Sequence, residues 1–181
     1  MRWDELFRDL EGQIAAAEAA DLGAEVADRT RRESALLTLA DRARGACGSR
    51  VTVQVQGADR VEGVLVAVGP QWLLMADDAG REALVPLAAV LGLAGLAVWS
   101  GAPVGQVTAG LGLGSALRAL ARDRARVTVH LVDGSAVAGT IDRVGADFLE
   151  VSDRVGESPR GRSGAVRTVA TSAVGVIRSA G

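Results

Sequence analysis

Apolar and polar residues alternate along several short segments of this chain. Val127, Val129 and Leu131 alternate with more polar neighbours, and this period of two is typical of a β-strand with one buried face. The dipeptide Asp133-Gly134 separates this segment from a second one of the same kind. It indicates a hairpin turn, because glycine supplies the positive φ that a tight hairpin needs. The pattern therefore predicts a β-rich fold of short strands joined by tight turns.

The same pattern occurs twice. Residues 50–75 align with residues 126–151 without a gap, at an offset of 76. Gly63 and Gly139 fall inside the second strand of each copy, where glycine marks a bend, and short bent strands can close a small sheet into a barrel. The repeat predicts an α+β, mostly β fold with two tandem five-stranded β-barrels, each with a leading helix. The identical pairs are Arg50/Arg126, Val51/Val127, Thr52/Thr128, Val53/Val129, Val61/Val137, Gly63/Gly139, Val68/Val144, Gly69/Gly145 and Leu73/Leu149.

The N-terminal segment has a helical pattern instead. Trp3, Leu6 and Leu10 recur at helical spacing, and residues 1–33 carry nine acidic residues against five arginines. This arm is expected to form a helical hairpin or short coiled coil, or one amphipathic helix lying on the core. The predicted domains are an acidic helical arm (1–33), a first barrel with its helix (34–100), a glycine-rich linker (101–114) and a second barrel with its helix (115–181).

The second copy resembles the Sm-like (LSm/Hfq-like) family of small β-barrels. The matching residues are Asp133, Gly134, Gly139, Ile141 and Val144, and residues 172–179 resemble the last strand of that family. The resemblance implies a barrel whose edge strands pair between neighbours. The acidic and amide residues with which the family binds uridine are missing from both copies, so a uridine-specific pocket is not expected.

Composition excludes most enzyme chemistry. The chain has 20 basic and 22 acidic residues, which disfavours a sequence-wide polycation. One cysteine, Cys47, and one histidine, His130, cannot supply an internal disulfide, a metal cluster or most histidine-based triads. We therefore expect no catalytic, cofactor-binding or metal-binding residues, and we expect that the protein is not an enzyme.

Residues 104–133 offer a minor alternative, a nucleotide-binding enzyme. Gly110 and Gly112 would approach a pyrophosphate there, and Asp133 would bind a ribose hydroxyl. Ser115 stands where the third glycine belongs, and only 48 residues follow Asp133. A dinucleotide-binding half needs more strands than that remainder offers.

The region from Ala83 to Leu117 contains no charged residue. Its apolar part, residues 83–99, is at the lower length limit for a membrane-spanning helix. Pro86, several glycines and the match to the second copy favour a buried strand followed by an interface segment over a membrane span. The N-terminus holds acidic residues where a signal peptide needs a basic start, so a cytoplasmic location is expected.

The leading functional prediction is a non-enzymatic assembly or adaptor protein. It would self-associate or bind a protein partner through barrel edges and the helical arm, with interface candidates Leu87, Val90, Leu91 and Trp99. The alternative is sequence-tolerant RNA or DNA binding, because guanidinium groups bind phosphate in a two-point geometry. The candidates for that role are Arg118, Arg122, Arg143, Arg160, Arg162 and Arg178.

Overall fold

A computed structural model describes residues 28–32, 35–96, 111–153 and 165–179 of the chain. The chain divides into two compact units, Met1–Thr38 and Leu39–Gly181. In the first unit, residues 28–32 and 35–36 are helical. The rest of the predicted acidic arm lies outside the described residues.

The described part of the second unit contains two sets of five strands, each preceded by a helix. The first set is α1 (Leu39–Arg44), β1 (Arg50–Val55), β2 (Val61–Val68), β3 (Trp72–Ala76), β4 (Glu82–Pro86), a 3-10 turn (Leu87–Ala89) and β5 (Val90–Ala94). The second set is α2 (Leu113–Asp123), β6 (Arg126–Leu131), β7 (Ala136–Val144), β8 (Phe148–Ser152), β9 (Val166–Ala170), a 3-10 turn (Thr171–Ala173) and β10 (Val174–Ser179).

All ten strands belong to one antiparallel sheet, in the order β5-β1-β2-β3-β4-β10-β6-β7-β8-β9. The prediction of two separate five-stranded barrels, each with a leading helix, is therefore wrong. Strand β4 pairs with β10 from the other set, at Leu84↔Ile177 and Ala83↔Arg178. The hydrogen-bonded ladder thus continues from one set into the other, so the sheet is single and open.

The two sets have the same strand register. Thr52 pairs with Ala94 in the first set, and Thr128 pairs with Arg178 in the second. The offset is 76 for the first three strands of each set, as in the sequence alignment, and 84 for the last two. Both sets also have their bulges at matching positions of the second and last strands.

Gly63 and Gly139 occupy equivalent positions where two strands approach closely. A Cβ at position 63 would lie 2.3 Å from the carbonyl oxygen of Ala76, and one at 139 would lie 2.4 Å from that of Ser152. Real Cβ atoms do not approach backbone this closely, so any larger residue must displace the neighbouring strand. These contacts explain why both second strands contain a glycine.

The sheet buries two apolar clusters that each draw on both sets of strands. The first consists mainly of side chains from α1 and β1–β5, and it also includes Val176 of β10. The second consists mainly of side chains from α2 and β6–β10, and it includes Trp72 and Leu84 of the first set. The two halves are therefore interlocked by shared cores as well as by the β4–β10 pair.

Helix α2 is attached to the first set of strands at its N-terminal end. It begins at Leu113, so its first two residues fall inside the segment 101–114 predicted as linker. The Leu113 amide donates to Gln71 Oε1 at 3.1 Å, and Trp72 Nε1 donates to the carbonyl oxygen of Leu111 at 2.7 Å. Further along the helix, Leu117 is fully buried in the second cluster. The helix thus binds both halves of the sheet.

Candidate functional site

The sheet ends in strands β5 and β9, which have no further strand beside them among the described residues. Each carries a large exposed apolar side chain. Leu91 on β5 is 68% exposed, and Val166 on β9 is 54% exposed. Unpaired strand edges are templates for pairing with another chain, so these edges form the first candidate site.

The structure separates the four predicted interface residues. Leu87 and Val90 are partly buried and pack against the first core cluster, so they stabilise the fold itself. Leu91 is the one that projects from the sheet edge. Trp99 lies outside the described residues. Val166 is not among the residues predicted from the sequence, although the alignment of residues 85–90 with 169–174 could have identified the strand that contains it.

The internal β4–β10 junction shows what a covered edge looks like in this fold. Leu84 and Ile177, which are paired, are 4% and 2% exposed. Beside them, the Glu82 amide donates to Ser179 Oγ at 2.9 Å, and the Ser179 hydroxyl donates to the Glu82 carbonyl oxygen at 3.3 Å. The junction therefore combines backbone pairing, apolar burial and hydrogen bonds between the Ser179 hydroxyl and the Glu82 backbone at its end.

Three of the predicted phosphate-binding arginines surround one open cleft between α2 and β7. The cleft has a volume of about 560 Å³. It is lined by Arg118, Arg122, Arg124, Arg143 and one acid, Asp142, among other residues. Arg118 donates to Ser115 Oγ at 3.3 Å, and Arg143 lies 3.8 Å from a Glu150 carboxylate oxygen. The four guanidinium groups outnumber the single lining carboxylate, so the cleft favours an anionic ligand.

The other predicted arginines are not at this cleft. Arg160 and Arg162 lie outside the described residues. Arg178, on β10, lines a different polar cleft of about 460 Å³ together with Asp59 and His130. Its Nε is buried without a hydrogen-bond partner in the described part of the chain. The structure therefore brings together Arg118, Arg122 and Arg143, and it places Arg178 elsewhere.

The environment of His130 disfavours its charged form. Partial burial lowers its pKa below the usual 6.5, the nearby Arg178 charge lowers it further, and Asp59 opposes both. A neutral imidazole at this position can accept or donate a hydrogen bond without adding charge. Cys47 lies in the loop after α1 and is exposed, yet the protein around its thiol removes part of its hydration, and this partial desolvation raises its pKa despite the opposing charge of Arg44. A raised pKa lowers the fraction of nucleophilic thiolate.

The residues of the nucleotide-binding alternative do not form the expected βαβ unit. Gly112 is the N-cap of α2, and Gly110 lies outside the described residues. The Asp133 carboxylate is engaged within its own turn, where it accepts from the Ser135 amide at 2.9 Å and the Ser135 hydroxyl at 2.7 Å. The strand pairs are antiparallel, whereas dinucleotide-binding halves are built on parallel strands.

No protein-family model matches the chain, and no curated protein matches it significantly. Within the described ranges, no helix has the length and apolarity needed to cross a membrane. The same residues contain no cluster of three or more His, Cys, Asp or Glu side chains arranged to hold a metal ion.

Proposed function

We propose that this protein is a non-enzymatic assembly or adaptor protein that binds other proteins through the two outer strands of its sheet. The observation that supports this is the open sheet, which ends in β5 and β9 with exposed Leu91 and Val166. A strand added to such an edge gains main-chain hydrogen bonds, and the apolar side chains gain burial.

Among the described residues, little blocks the edges of this sheet against pairing apart from the bulge in β5. Natural sheets block edges with charges, prolines or covering segments. Strand β5 carries no charge, and β9 carries only Arg167. Both strands have five residues, which is long enough for a partner strand to pair with them. An edge of this kind is suited to binding a protein.

The proposal is tested by native purification of the tagged protein from its own cells, followed by mass determination with light scattering. We expect a complex larger than the 18.5 kDa chain. Leu91→Lys and Val166→Lys should reduce it, since a charge is costly to bury in a contact. The matched control is Val66→Lys, because Val66 is 48% exposed but lies on the inner strand β2. A monomer without any bound protein, or equal loss in all three variants, would refute the proposal.

A second candidate function is sequence-tolerant binding of RNA or DNA at the arginine cleft. It is favoured by the convergence of Arg118, Arg122, Arg124 and Arg143 on one cleft. Guanidinium groups bind phosphate oxygens without reading bases. The resemblance to Sm-like proteins stays a prediction and is compatible with either function.

Binding to a single-stranded RNA at two salt concentrations tests this second function. Replacement of Arg122 and Arg143 by alanine should weaken binding similarly for all sequences and flatten its salt dependence, because fewer counterions are released. Arg60→Ala is the control, since Arg60 is exposed and does not line this cleft. If the unmodified protein does not bind even at about 50 mM salt, where phosphate contacts are strongest, the nucleic-acid function is wrong.

A further inference from the structure

Arg178 is a charged residue at the contact between the two sets of strands. It lies on β10, where its backbone pairs with Ala83 of β4 on one side and with Thr128 of β6 on the other. Its side chain is partly buried, and its Nε is buried without a hydrogen-bond partner in the described part of the chain. A charged group that is partly removed from water needs an opposite charge to offset the lost hydration. We therefore expect this guanidinium group to have an anionic partner.

No carboxylate of the described residues provides that partner. None of the ion pairs among these residues includes Arg178. Asp59, on the turn before β2, lines the same cleft of about 460 Å³ and is exposed, but it forms no ion pair with Arg178. The cleft thus contains one positive and one negative side chain that do not neutralise each other by direct contact.

This cleft, called the His130 cleft below, is built from both sets of strands. A Cβ at Gly57 would lie 2.2 Å from the carbonyl oxygen of Leu131, so the turn after β1 packs directly on the end of β6. That contact holds Asp59 close to the strand that carries His130. A preformed site loses less conformational freedom when a ligand binds. The residues that line the cleft are Gly57, Ala58, Asp59, His130, Gly134 and Arg178.

His130 adds hydrogen-bonding groups to the cleft without a third charge. Partial burial and the charge of Arg178 lower its pKa, and a neutral imidazole has one donor and one acceptor nitrogen. A simple anion in the cleft would be attracted by Arg178 and repelled by Asp59, and a simple cation would experience the reverse. A ligand that carries one charge of each sign is complementary to both side chains.

We propose that the His130 cleft binds a small zwitterion with one carboxylate and one ammonium group, which is the chemistry of a free amino acid. The ligand carboxylate accepts hydrogen bonds from the terminal guanidinium nitrogens of Arg178 in a two-point geometry. The ammonium group donates to the Asp59 carboxylate, and His130 bonds to either group. This inference is independent of the proposed binding at the sheet edges, because neither β5 nor β9 lines the cleft.

Arg178 also lines a neighbouring cleft of about 330 Å³. The Asp77–Arg81 ion pair lies in that cleft, and the other charged side chains that line it, besides Arg178, are two glutamates and Arg60. A ligand carboxylate would therefore meet two further carboxylates there, against one in the His130 cleft. Arg60 lines the neighbouring cleft but not the His130 cleft, so it supplies the control that separates the two locations.

Binding is tested with the purified full chain and the standard free amino acids, each added singly at about 10 mM, well above a millimolar dissociation constant. Thermal unfolding is the screen, because a ligand of the folded state raises Tm, and titration calorimetry then measures Kd. We expect at least one amino acid to bind. Acetate and ethylamine carry one charge each and leave one side chain of the cleft without a partner, so they should bind at least about tenfold more weakly.

Two variants test the assigned roles. Arg178→Gln and Asp59→Asn should each weaken binding of the amino acid by about tenfold or more, since each removes a charged hydrogen-bond partner. Asp59 is exposed, so Asp59→Asn remains informative if Arg178→Gln disturbs the sheet. Asp59→Asn should also bind acetate more tightly than the unmodified protein does, because the repulsion is gone. Arg60→Gln is the matched control and should leave Kd unchanged.

Three results would overturn the inference. The first is that none of the amino acids binds. The second is that acetate or inorganic phosphate binds as tightly as the best amino acid, which would make the cleft a site for simple anions. The third is that Arg60→Gln abolishes binding while Asp59→Asn does not, which would place the ligand in the neighbouring cleft. None of these results affects the proposed function, because its test uses variants of the sheet edges.

Discussion

Gly139 lies at a close approach between β7 and its antiparallel partner β8. A Cβ at this position would meet the Ser152 carbonyl oxygen at 2.4 Å, and the obstacle is backbone that cannot rotate away. We expect Gly139→Val to lower the free energy of unfolding by about 1–3 kcal/mol, the usual range for overpacking. Urea denaturation measures this. Ala138→Val is the control, since Ala138 is the exposed neighbour on the same strand and should change stability by less than about 0.5 kcal/mol.

The lowered pKa of His130 makes the stability depend on pH. The unfolded chain binds a proton as the pH falls through about 6.5, whereas burial and Arg178 make the folded protein resist it. The contribution of His130 is therefore complete above pH 6.5 and is lost as the pH falls below that value. Thermal unfolding at about pH 7.5 and 5.5, on either side of this value, should show a smaller difference for His130→Gln than for the unmodified protein.

The carboxyl groups of Asp133 and Asp77 have lowered pKa values and therefore titrate below this window. The pKa of Asp133 is lowered by hydrogen bonds from the Ser135 side chain and amide, and that of Asp77 is lowered mainly by the Arg81 amide. Their stabilising contributions are present above the unfolded carboxyl pKa of about 4 and are lost only as the pH falls through the folded values. An identical loss of stability in His130→Gln and the unmodified protein would show that His130 is not the group responsible.

Helix α2 should contribute strongly to stability because it bridges the two halves. Leu117 is fully buried in the second cluster, and we expect Leu117→Ala to reduce the free energy of unfolding by about 2–5 kcal/mol. Leu111→Ala is the matched control, because Leu111 is 44% exposed and accepts the Trp72 bond through its backbone, which the substitution retains. Urea denaturation of both variants gives the comparison. Similar losses would mean that Leu117 has no special role in docking.

The elements themselves were largely predictable from the sequence. Alternation and the offset of 76 predicted the bent second strands, and Gly63 and Gly139 do lie at equivalent close approaches. The partner of β4 was not predictable, because an apolar face alternates in the same way whichever strand lies beside it. For the same reason, Leu87 and Val90 could not be distinguished from Leu91, since core and interface positions are equally apolar in sequence.

The candidate sites depended on contacts that are distant in sequence. A spacing of four residues placed Arg118 and Arg122 on one helical face, as the cleft confirms. Arg143 joins them only because α2 packs beside β7. Arg178 shares the arginine chemistry but lies in a different cleft, with His130. Composition alone could not separate these groups, because all the basic residues of the chain are arginine.

The whole sheet is expected to unfold as one cooperative unit. Leu84 belongs to the first set of strands, yet its side chain lies in the second core cluster. Val176 belongs to the second set, and its side chain lies in the first cluster. Loss of packing at this junction should therefore weaken both halves, unlike in two independent domains, where only one would be affected.

We expect Leu84→Ala to reduce the free energy of unfolding by about 2–5 kcal/mol. Amide hydrogen exchange, measured by mass spectrometry under conditions where exchange requires global unfolding, should then be faster in peptides from both β2 and β7. The free energy of opening calculated from each peptide should fall by the same amount. Val66→Ala, on an exposed face of β2, is the control and should leave both peptides nearly unchanged. Faster exchange in β2 alone, or in β7 alone, would show that the halves unfold separately in spite of their shared sheet.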